Sequence, residues 1–301
     1  MELWIPITIF AAFMQNLRSS LQKYLKGQLS TSGATYARFA YAAPLAVLYL
    51  IALVKFGGYE LPITNGRFFL FATLGGAGQI IATALLVHIF SSRNFAVGTT
   101  FSKTEIIQTA IFGMIVLGET VSIGAVFAII LSLVGVVMIA VTRVTLNVRD
   151  LIRQCLEPTA LIGIASGGFF GLSAVSYRAA SLSLEGGEFF TRAALTLAFA
   201  TVVQTVVMSV YMRWREPGQL TAVFKSWRIS ALVGVVGLLG SIGWVTAMTL
   251  ENAAYVRALG QVELLFTFVV SYFAFKEKIS RTEVIGILIV TAGILLLLLL
   301  R

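Results

Sequence analysis

The sequence has little charge and almost none of the residues that hold metals or form disulfides. Charged residues make up 12% of its 301 residues, against about 25% in a soluble domain. Hydrophobic residues make up 58%, with a mean hydropathy of +0.93. The single cysteine, Cys155, excludes an intramolecular disulfide and a cysteine-based metal cluster. The single histidine, His88, argues against a histidine-ligated metal and a histidine-based catalytic triad. We therefore expect neither a soluble domain nor an enzyme, and no cofactor or metal.

Apolar segments of about 20 residues recur to the end of the chain, which is typical of a helical protein that crosses the membrane many times. The N-terminus lacks the basic start of a cleavable signal, so we take the first apolar segment as the first span. The predicted fold is an all-α membrane protein with ten transmembrane helices. The predicted spans are 4–22, 33–55, 67–90, 95–117, 121–142, 158–182, 187–212, 228–250, 252–275 and 280–300.

The second half of the sequence repeats the first after a shift of 158 residues, which places Glu105 on Glu263. The other matching pairs are Asn94 and Asn252, Ala96 and Ala254, Glu119 and Glu277, Ser122 and Ser280, and Gly135 and Gly293. Because each copy holds five spans, an odd number, the second copy must enter the membrane from the opposite side. The sequence thus predicts two five-helix repeats of inverted topology, residues 1–142 and 158–301, joined by an amphipathic linker at 143–157. Inverted repeats are a recurring basis of alternating access.

The net charge of +9 indicates the lipid bilayer rather than nucleic acid as a partner. Most basic residues lie between spans, where they set orientation and contact anionic lipid. Given the predicted spans, three basic residues lie in loops on the side of both termini and thirteen on the other side. The positive-inside rule then places both termini outside the cytoplasm. The expected location is the cytoplasmic (inner) membrane of a bacterium.

Eight charged residues lie at least four residues from either end of a predicted span, where a charge costs about 2.5–3.5 kcal/mol unless it meets a partner or a wet cavity. These residues are Arg18, Arg38, Lys103, Glu105, Arg178, Arg192, Arg257 and Glu263. Three of the arginines (Arg38, Arg192 and Arg257) lie near span ends, so anchoring to lipid headgroups and burial both stay open for them. The others nearer the span centres are expected to line a cavity or form buried ion pairs.

Position suggests a source of neutralisation for each glutamate. Arg18 in span 1 corresponds to Arg178 in span 6, and Arg38 in span 2 to Arg192 in span 7. We therefore expect the arginines of each half to pair with the glutamate of that half. Structural ion pairing and a role in binding substrate or a coupling proton stay open for both glutamates.

The candidate site combines these charges with polar residues that share helix faces near them. Its predicted substrate-binding residues are Gln15, Arg18, Gln79, Lys103, Glu105, Gln108, Tyr177, Arg178, Trp244, Gln261 and Glu263. Arg18 and Arg178 are expected to hold a carboxylate or phosphate of the substrate. Glu105 and Glu263 are expected to hold an amine or a coupling proton.

The segments that follow the two glutamates resemble a known family. Glu105 is followed by an apolar run, Leu117–Gly118–Glu119 and Ser122, and the second copy repeats this spacing from Glu263 to Glu277 and Ser280. An arginine opens span 2 at Tyr36–Ala37–Arg38–Phe39. This layout resembles the ten-span, EamA-like branch of the drug/metabolite transporter superfamily. The chain departs from that pattern at the proline after each glutamate, which is Ile106 and Leu264 here, and lacks the usual Trp-Gly of span 1.

The resemblance implies a secondary transporter that exports amino acids or related compounds. It also implies termini in the cytoplasm, opposite to the charge count, so the orientation stays open. A nucleotide-binding P-loop is absent from the sequence, so we expect a gradient or exchange to drive transport. The expected function is alternating-access transport of a small polar metabolite, amino-acid-like or zwitterionic. The alternatives are transport of organic anions or phosphorylated metabolites, and a scaffold or partner subunit without transport. A monomer and a homodimer are both compatible with ten spans.

Overall fold

The computed structural model describes residues 2–90, 95–142, 157–273 and 280–301. In these ranges the chain is helical, with one isolated β-bridge between Ile63 and Glu185. The helices are α1 (Trp4–Lys26), α2 (Thr31–Ala40), α3 (Ala42–Lys55), α4 (Gly66–Ile89), α5 (Phe95–Phe101), α6 (Glu105–Leu117), α7 (Ile123–Thr142), α8 (Pro158–Ser183), α9 (Phe189–Arg215), α10 (Gln219–Lys225), α11 (Trp227–Leu250), α12 (Ala253–Leu259), α13 (Glu263–Phe273) and α14 (Arg281–Leu300). Short 3₁₀ turns, Ser102–Thr104 and Gly260–Val262, join α5 to α6 and α12 to α13. The predicted linker at 143–157, except its last residue, and Glu277 lie outside the described residues.

Local capping residues define several helix ends. The Asn65 side chain accepts a hydrogen bond from Phe68 N at the start of α4. Ser280 and Glu283 form a reciprocal capping box at the start of α14, which satisfies backbone N–H groups that have no partner within the helix. Gly118 ends α6 with φ +66°, a left-handed conformation that glycine adopts without steric cost.

Six segments within the described ranges are long and apolar enough to cross a membrane. They are Thr31–Lys55, Gly66–Ile89, Pro158–Ser183, Phe189–Arg215, Trp227–Leu250 and Arg281–Leu300. An all-α, multi-pass membrane protein is confirmed at this level. The four other predicted spans correspond to α1, α5–α6, α7 and α12–α13, which are more polar, shorter or interrupted.

Three of the spans predicted as continuous helices are interrupted. The span at 33–55 is divided at Tyr41 into α2 and α3, because Pro44 has no N–H to donate to the carbonyl of Ala40 and its ring crowds that carbonyl. The spans at 95–117 and 252–275 are divided by the two 3₁₀ turns, each directly before a glutamate. Both interruptions near the glutamates occur at corresponding points of the two halves.

The closest helix pairs join the two halves of the chain. Helix α4 packs along α8, α1 along α11, and α7 along α14. Glycines permit this close approach, because a Cβ on Gly243 would lie 2.8 Å from the Cβ of Ala11, and one on Gly75 would lie 2.7 Å from the Tyr177 ring. These glycines therefore serve helix packing, as small residues commonly do in membrane proteins.

Candidate functional site

Both glutamates of the repeat begin a helix directly after a 3₁₀ turn. Lys103 lies in the first turn and Glu105 begins α6, whereas Gln261 lies in the second turn and Glu263 begins α13. A 3₁₀ segment within a longer helix often marks a functional hinge. A carboxylate in the first helical turn is stabilised by the positive end of the helix dipole. The interruptions thus create favourable positions for two acids inside an apolar bundle.

Each glutamate is neutralised by a cation from the opposite half of the chain. Lys103 donates to Glu263 Oε1, and Gln15 Nε2 donates a 2.9 Å hydrogen bond to Glu263 Oε2. Arg257 Nη1 lies 3.7 Å from Glu105 Oε1, and both of these side chains are buried. The two ion pairs therefore hold residues 1–142 against residues 158–301.

The expectation that each half neutralises its own glutamate is wrong. Neither Arg18 nor Arg38 forms an ion pair with Glu105, and the corresponding arginines of the second half form none with Glu263, within the described residues. The reason is helix order in space, because α6 packs against α12 and α1 packs against α13. The interrupted segments of the two halves thus face each other, which places each acid beside a base of the other half.

Two buried arginines lie near these pairs without a carboxylate partner among the described residues. Arg18 of α1 is 3% exposed and Arg38 of α2 is 5% exposed. Arg38 Nη1 donates a 2.9 Å hydrogen bond to Thr83 Oγ1, whereas Arg18 has no hydrogen bond or ion pair to a described residue and its Nε is buried. A Cβ on Gly237 would lie 3.4 Å from both Arg18 Cδ and Arg38 Cγ. The two side chains therefore meet above this glycine, and burial is the outcome for Arg38.

Arg18 and Arg38 face a small cavity between α1, α2 and α11. Its empty space of about 160 Å³ includes space that is open to the surroundings. In this conformation the cavity has room for about one water molecule. Its lining residues are Gln15, Arg18, Arg38, Val236, Gly237, Gly240, Ser241 and Trp244.

Trp244 connects the cavity to the Glu105 ion pair. The Arg257 guanidinium carbon lies 4.8 Å from the centroid of the Trp244 ring, within the range of a cation–π contact. The ring also covers the second 3₁₀ turn, where a Cβ on Gly260 would lie 2.5 Å from Trp244 Cη2. Arg257 is 5% exposed, so it is buried rather than anchored to lipid headgroups. Its Nε and the Nε1 of Trp244 have no hydrogen-bond partner among the described residues.

A separate polar cluster lies between α4, α8 and α9. Tyr177 OH donates a 3.2 Å hydrogen bond to Gln79 Oε1, and Gln204 Nε2 donates 3.0 Å bonds to the same oxygen and to the carbonyl of Gly76. Gln79 and Tyr177 therefore bond each other, and neither lines the cavity. Among the described residues, neither Gln79 nor Tyr177 forms a hydrogen bond with Arg18 or Arg38.

The remaining glutamine candidates also lie away from the cavity lining. Gln108 Nε2 lies 3.4 Å from both Thr104 Oγ1 and the carbonyl of Ile164, so it faces α8. Gln261 is buried in the second 3₁₀ turn, and its Oε1 has no partner among the described residues. Gln261 therefore lies in the interruption before Glu263, whereas Gln108 lies against α8. The Oε1 of Gln108 is likewise buried without a partner among the described residues.

Arg178 lies at the side of the protein that carries both termini, not at the cavity. Its Nε donates a 2.5 Å hydrogen bond to Glu119 Oε1, and its Nη1 donates 2.5 Å bonds to the carbonyls of Met248 and Glu251. Arg178 is near the end of α8, beside the segments that follow α6 and α11. Its Nε and Nη1 groups therefore donate to Glu119, Met248 and Glu251. The placement does not match the expected role of holding substrate together with Arg18.

A chain of contacts continues from there to both termini. Arg301 Nη1 donates a 2.8 Å hydrogen bond to Glu251 Oε2, and Arg301 Nη2 donates to Glu2. The Arg301 guanidinium also lies 4.9 Å from the Trp4 ring centroid. The hydrogen bond from Arg301 holds the pKa of Glu2 below its ordinary value. We call Arg178, Glu119, Glu251, Arg301 and Glu2 the terminal-side network.

Three side chains at or beside the cavity were absent from the predicted site: Arg38 and Ser241, which line it, and Thr83, which bonds Arg38. Each carried a signal, because Arg38 is a charge in an apolar span, Thr83 lies one turn from Gln79, and Ser241 lies one turn from Trp244. The signal was polarity inside an apolar segment. It did not separate residues that meet at a cavity from residues that bond one another elsewhere.

Discontinuous helices with buried charges at the contact between two halves are typical of secondary transporters, and this is the class of protein that the fold and site indicate. Residues 158–299 match the EamA-like transporter family, which is part of the drug/metabolite transporter superfamily. The resemblance found in the sequence is thereby confirmed for this part of the chain. It indicates a membrane transporter rather than an enzyme.

Solved structures show the same fold. One crystal structure superposes with a TM-score of 0.70 over 99% of this chain and 96% of that chain, at 13% sequence identity. At this identity the similarity concerns the fold alone. The comparison with curated proteins gives no significant match.

Proposed function

We propose that this protein is a secondary transporter that moves a small polar metabolite across the cytoplasmic membrane by alternating access. In this proposal ten spans form two five-helix repeats of inverted topology, residues 1–142 and 158–301. Helix packing supports it, since α1 lies along α11 and α4 along α8. In the predicted repeat these are the span pairs 1 with 8 and 3 with 6. Span 1 corresponds to span 6, and span 3 to span 8, so exchanging the two halves turns one pair into the other. Two related halves of this kind can pack in two ways around one central site.

The observation that carries the proposal is the buried, charged cavity between the two halves. Arg18 and Arg38 face it from the first half, and Ser241 and Trp244 face it from the second. Charges inside the membrane are costly and generally serve a substrate, an ion or a partner. A scaffold without transport would be expected to close all of these charges in pairs, and Arg18 has no such pair among the described residues.

An amino-acid-like substrate would need one acid for its ammonium group as well as a base for its carboxylate. Glu105 is the candidate acid, because its Oε1 lies 3.7 Å from Arg257 Nη1, a distance too long for a hydrogen bond. The direction that we propose is export, following the family resemblance. The protein acts as a monomer or a homodimer in this proposal.

Proton coupling is part of the proposal for Glu105 and Glu263. Both begin a helix after an interruption, and both pair across the two halves. Reorientation of the halves would separate these pairs. A carboxylate without a nearby cation binds a proton more readily. A proton taken up on one side would then be released when the pair forms again.

Thermal stability of the purified protein in detergent, measured against a metabolite panel, tests the transport function first. The panel holds amino acids, organic acids, sugar phosphates, nucleotides and quaternary amines. A ligand at 100 times its dissociation constant raises the free energy of unfolding by about 2.7 kcal/mol. Ligands that stabilise the protein are then assayed by counterflow in proteoliposomes.

We expect at least one panel member to stabilise the protein and to exchange across the liposome membrane. Arg215→Gln is the matched control, because Arg215 is an exposed arginine in the last turn of α9. It should leave both readouts unchanged. Absence of stabilisation together with absence of counterflow would support the scaffold alternative instead.

A further inference from the structure

We propose that the central cavity is an anion site, and that the transported substrate is a small organic anion with net negative charge whose carboxylate or phosphate group binds Arg18 and Arg38. This inference rests on the transport function proposed above. It selects among the substrate classes that the sequence left open.

The balance of buried charge is the first argument. Four cations cluster around the cavity and the two interruptions, and they are Arg18, Arg38, Lys103 and Arg257. Glu263 neutralises Lys103, and Glu105 neutralises Arg257. No other carboxylate among the described residues forms an ion pair with this group. Two positive charges thus remain without a counter-charge, and buried charges are normally paired.

The geometry of the two unpaired arginines is the second argument. Their aliphatic stems pass beside the same glycine, because a Cβ on Gly237 would lie 3.4 Å from Arg18 Cδ and 3.4 Å from Arg38 Cγ. Thr83 holds Arg38 by a single 2.9 Å hydrogen bond, so most of the donors of both guanidinium groups stay available. A guanidinium presents donors in a planar fork that matches a carboxylate or phosphate. Gly237 has no side chain to block the space where such a group would bind.

The remaining lining indicates the shape of the ligand. Trp244 gives the cavity one aromatic wall, and Gln15 and Ser241 add neutral polar groups. In this conformation the cavity has room for about one water molecule, so the two halves must move apart before such a ligand can bind. Arg257 contacts the same Trp244 ring and is paired with Glu105, so it adds no further unpaired charge.

Cations and zwitterions fit this arrangement less well. An ammonium group would need a free carboxylate, and both nearby glutamates already have a basic partner. The unpaired positive charges of Arg18 and Arg38 would also repel it. An anion meets the opposite situation, because it supplies the charge that the cavity lacks.

The test uses the full-length protein in detergent, titrated with inorganic phosphate, glycerol 3-phosphate and succinate. Glycine and choline serve as the zwitterion and the cation, and sodium chloride keeps the ionic strength equal in every sample. We expect a saturable rise in melting temperature with at least one of the three anions and none with glycine or choline. Arg18→Gln and Arg38→Gln should each weaken anion binding at least about tenfold, which corresponds to 1.4 kcal/mol. Arg215→Gln should not change it.

The ligand-free variants separate binding from a merely structural role. Removing a buried charge without a partner should leave the Arg18→Gln protein at least as stable as the wild type. A structural role predicts a lower melting temperature instead. Arg18→Lys keeps the charge without the planar fork, so we expect binding between that of the wild type and Arg18→Gln.

The outcomes distinguish this inference from the transport function. If glycine or choline stabilises the protein and exchanges in counterflow while the anions do not, the anion site is wrong and transport stands. Anion binding that is unchanged in Arg18→Gln and Arg38→Gln also overturns the anion site. If no compound binds and none exchanges, the transport function fails and the anion site fails with it.

Discussion

Arg18 and Arg178 occupy corresponding spans of the predicted repeat, yet their surroundings are opposite. Arg178 donates to Glu119 and to two backbone carbonyls at the terminal side. Arg18 faces the central cavity and has no hydrogen bond to a described residue. The residue type is the same, so it does not explain the difference, and Arg178 is somewhat more exposed than Arg18. What differs is which helices of the other half lie alongside.

This difference separates two uses of buried charge. The terminal-side network is closed in the sense that each of its cations has an acid partner. Arg178 also donates to the carbonyls of Met248 and Glu251. At the cavity, by contrast, Arg18 and Arg38 have no carboxylate partner among the described residues. A closed network stabilises one arrangement of the helices, whereas an unpaired buried charge can bind a ligand of opposite charge. Changes in the two regions should therefore affect stability and transport in different proportions.

The largest effect on stability is expected for Arg178→Met. The change leaves Glu119 and two carbonyls without their donor in a mostly buried place. Breaking a buried ion pair by removing one partner costs about 3–5 kcal/mol, and the partial exposure of both side chains places this case near 3 kcal/mol. The measurement is equilibrium unfolding in detergent. Adding Glu119→Gln should recover part of the loss, and a loss below about 1 kcal/mol would contradict the closed network.

A smaller effect is expected for the ion pair that joins the halves, Lys103 with Glu263. Because these side chains bond each other, Lys103→Met and Glu263→Gln should not add in the double variant. Coupled residues in direct contact interact by about 0.5–3 kcal/mol, and we expect about 2 kcal/mol in a double-mutant cycle. Additive losses would show that the pair does not hold the halves together. Loss of proton-driven uptake in Glu263→Gln, with counterflow retained, would in addition support coupling through this acid.

Arg18→Met should reverse the direction seen at Arg178. Replacing an unpaired buried charge with an apolar side chain should raise the free energy of unfolding by about 0.5–2 kcal/mol, as is common when a functional strain is removed. Transport should be lost in the same variant. Unfolding and counterflow, measured on one preparation, check both parts. A loss of stability equal to that of Arg178→Met would remove the distinction between the two regions.

The smallest effect concerns the exposed edge of the terminal-side network. The pKa of Glu2 is lowered, mainly by its hydrogen bond from Arg301. A lowered pKa in the folded state contributes stability above the unfolded pKa of about 4.3, and this contribution disappears as the pH falls through the lowered value. The melting temperature should therefore decrease slightly more on acidification in the wild type than in Glu2→Gln. Identical profiles between pH 6 and pH 3, roughly, would show that this contact is not formed in solution.

The sequence alone predicted the class of fold and the burial of several charged residues. Long apolar segments indicated an all-α membrane protein, and polar residues within them selected Arg18, Glu105 and Glu263 for burial. These predictions succeed because desolvation is a property of each residue type and each segment. The family resemblance relied on spacing along the chain, and it was confirmed for residues 158–299.

The sequence alone did not predict which residues form ion pairs with the buried charges. Glu105 and Glu263 pair across the halves, and Arg178 pairs at the terminal side, whereas the sequence placed all of them otherwise. An ion pair depends on which helices are neighbours, and neighbours are set by packing of glycine-rich faces such as α4 on α8. Distance along the chain carries no such information for residues more than 150 positions apart, such as Lys103 and Glu263.

The amino-acid sequence by itself determined that charges would be buried in a helical membrane protein, because composition and hydropathy suffice for that. The interruptions before the two glutamates, and the identity of the two arginines left without an acid, were decided only by tertiary structure. A 3₁₀ turn and an unpaired guanidinium both depend on contacts between helices that are distant in the chain. The anion site proposed here therefore follows from how the two halves meet rather than from any one motif.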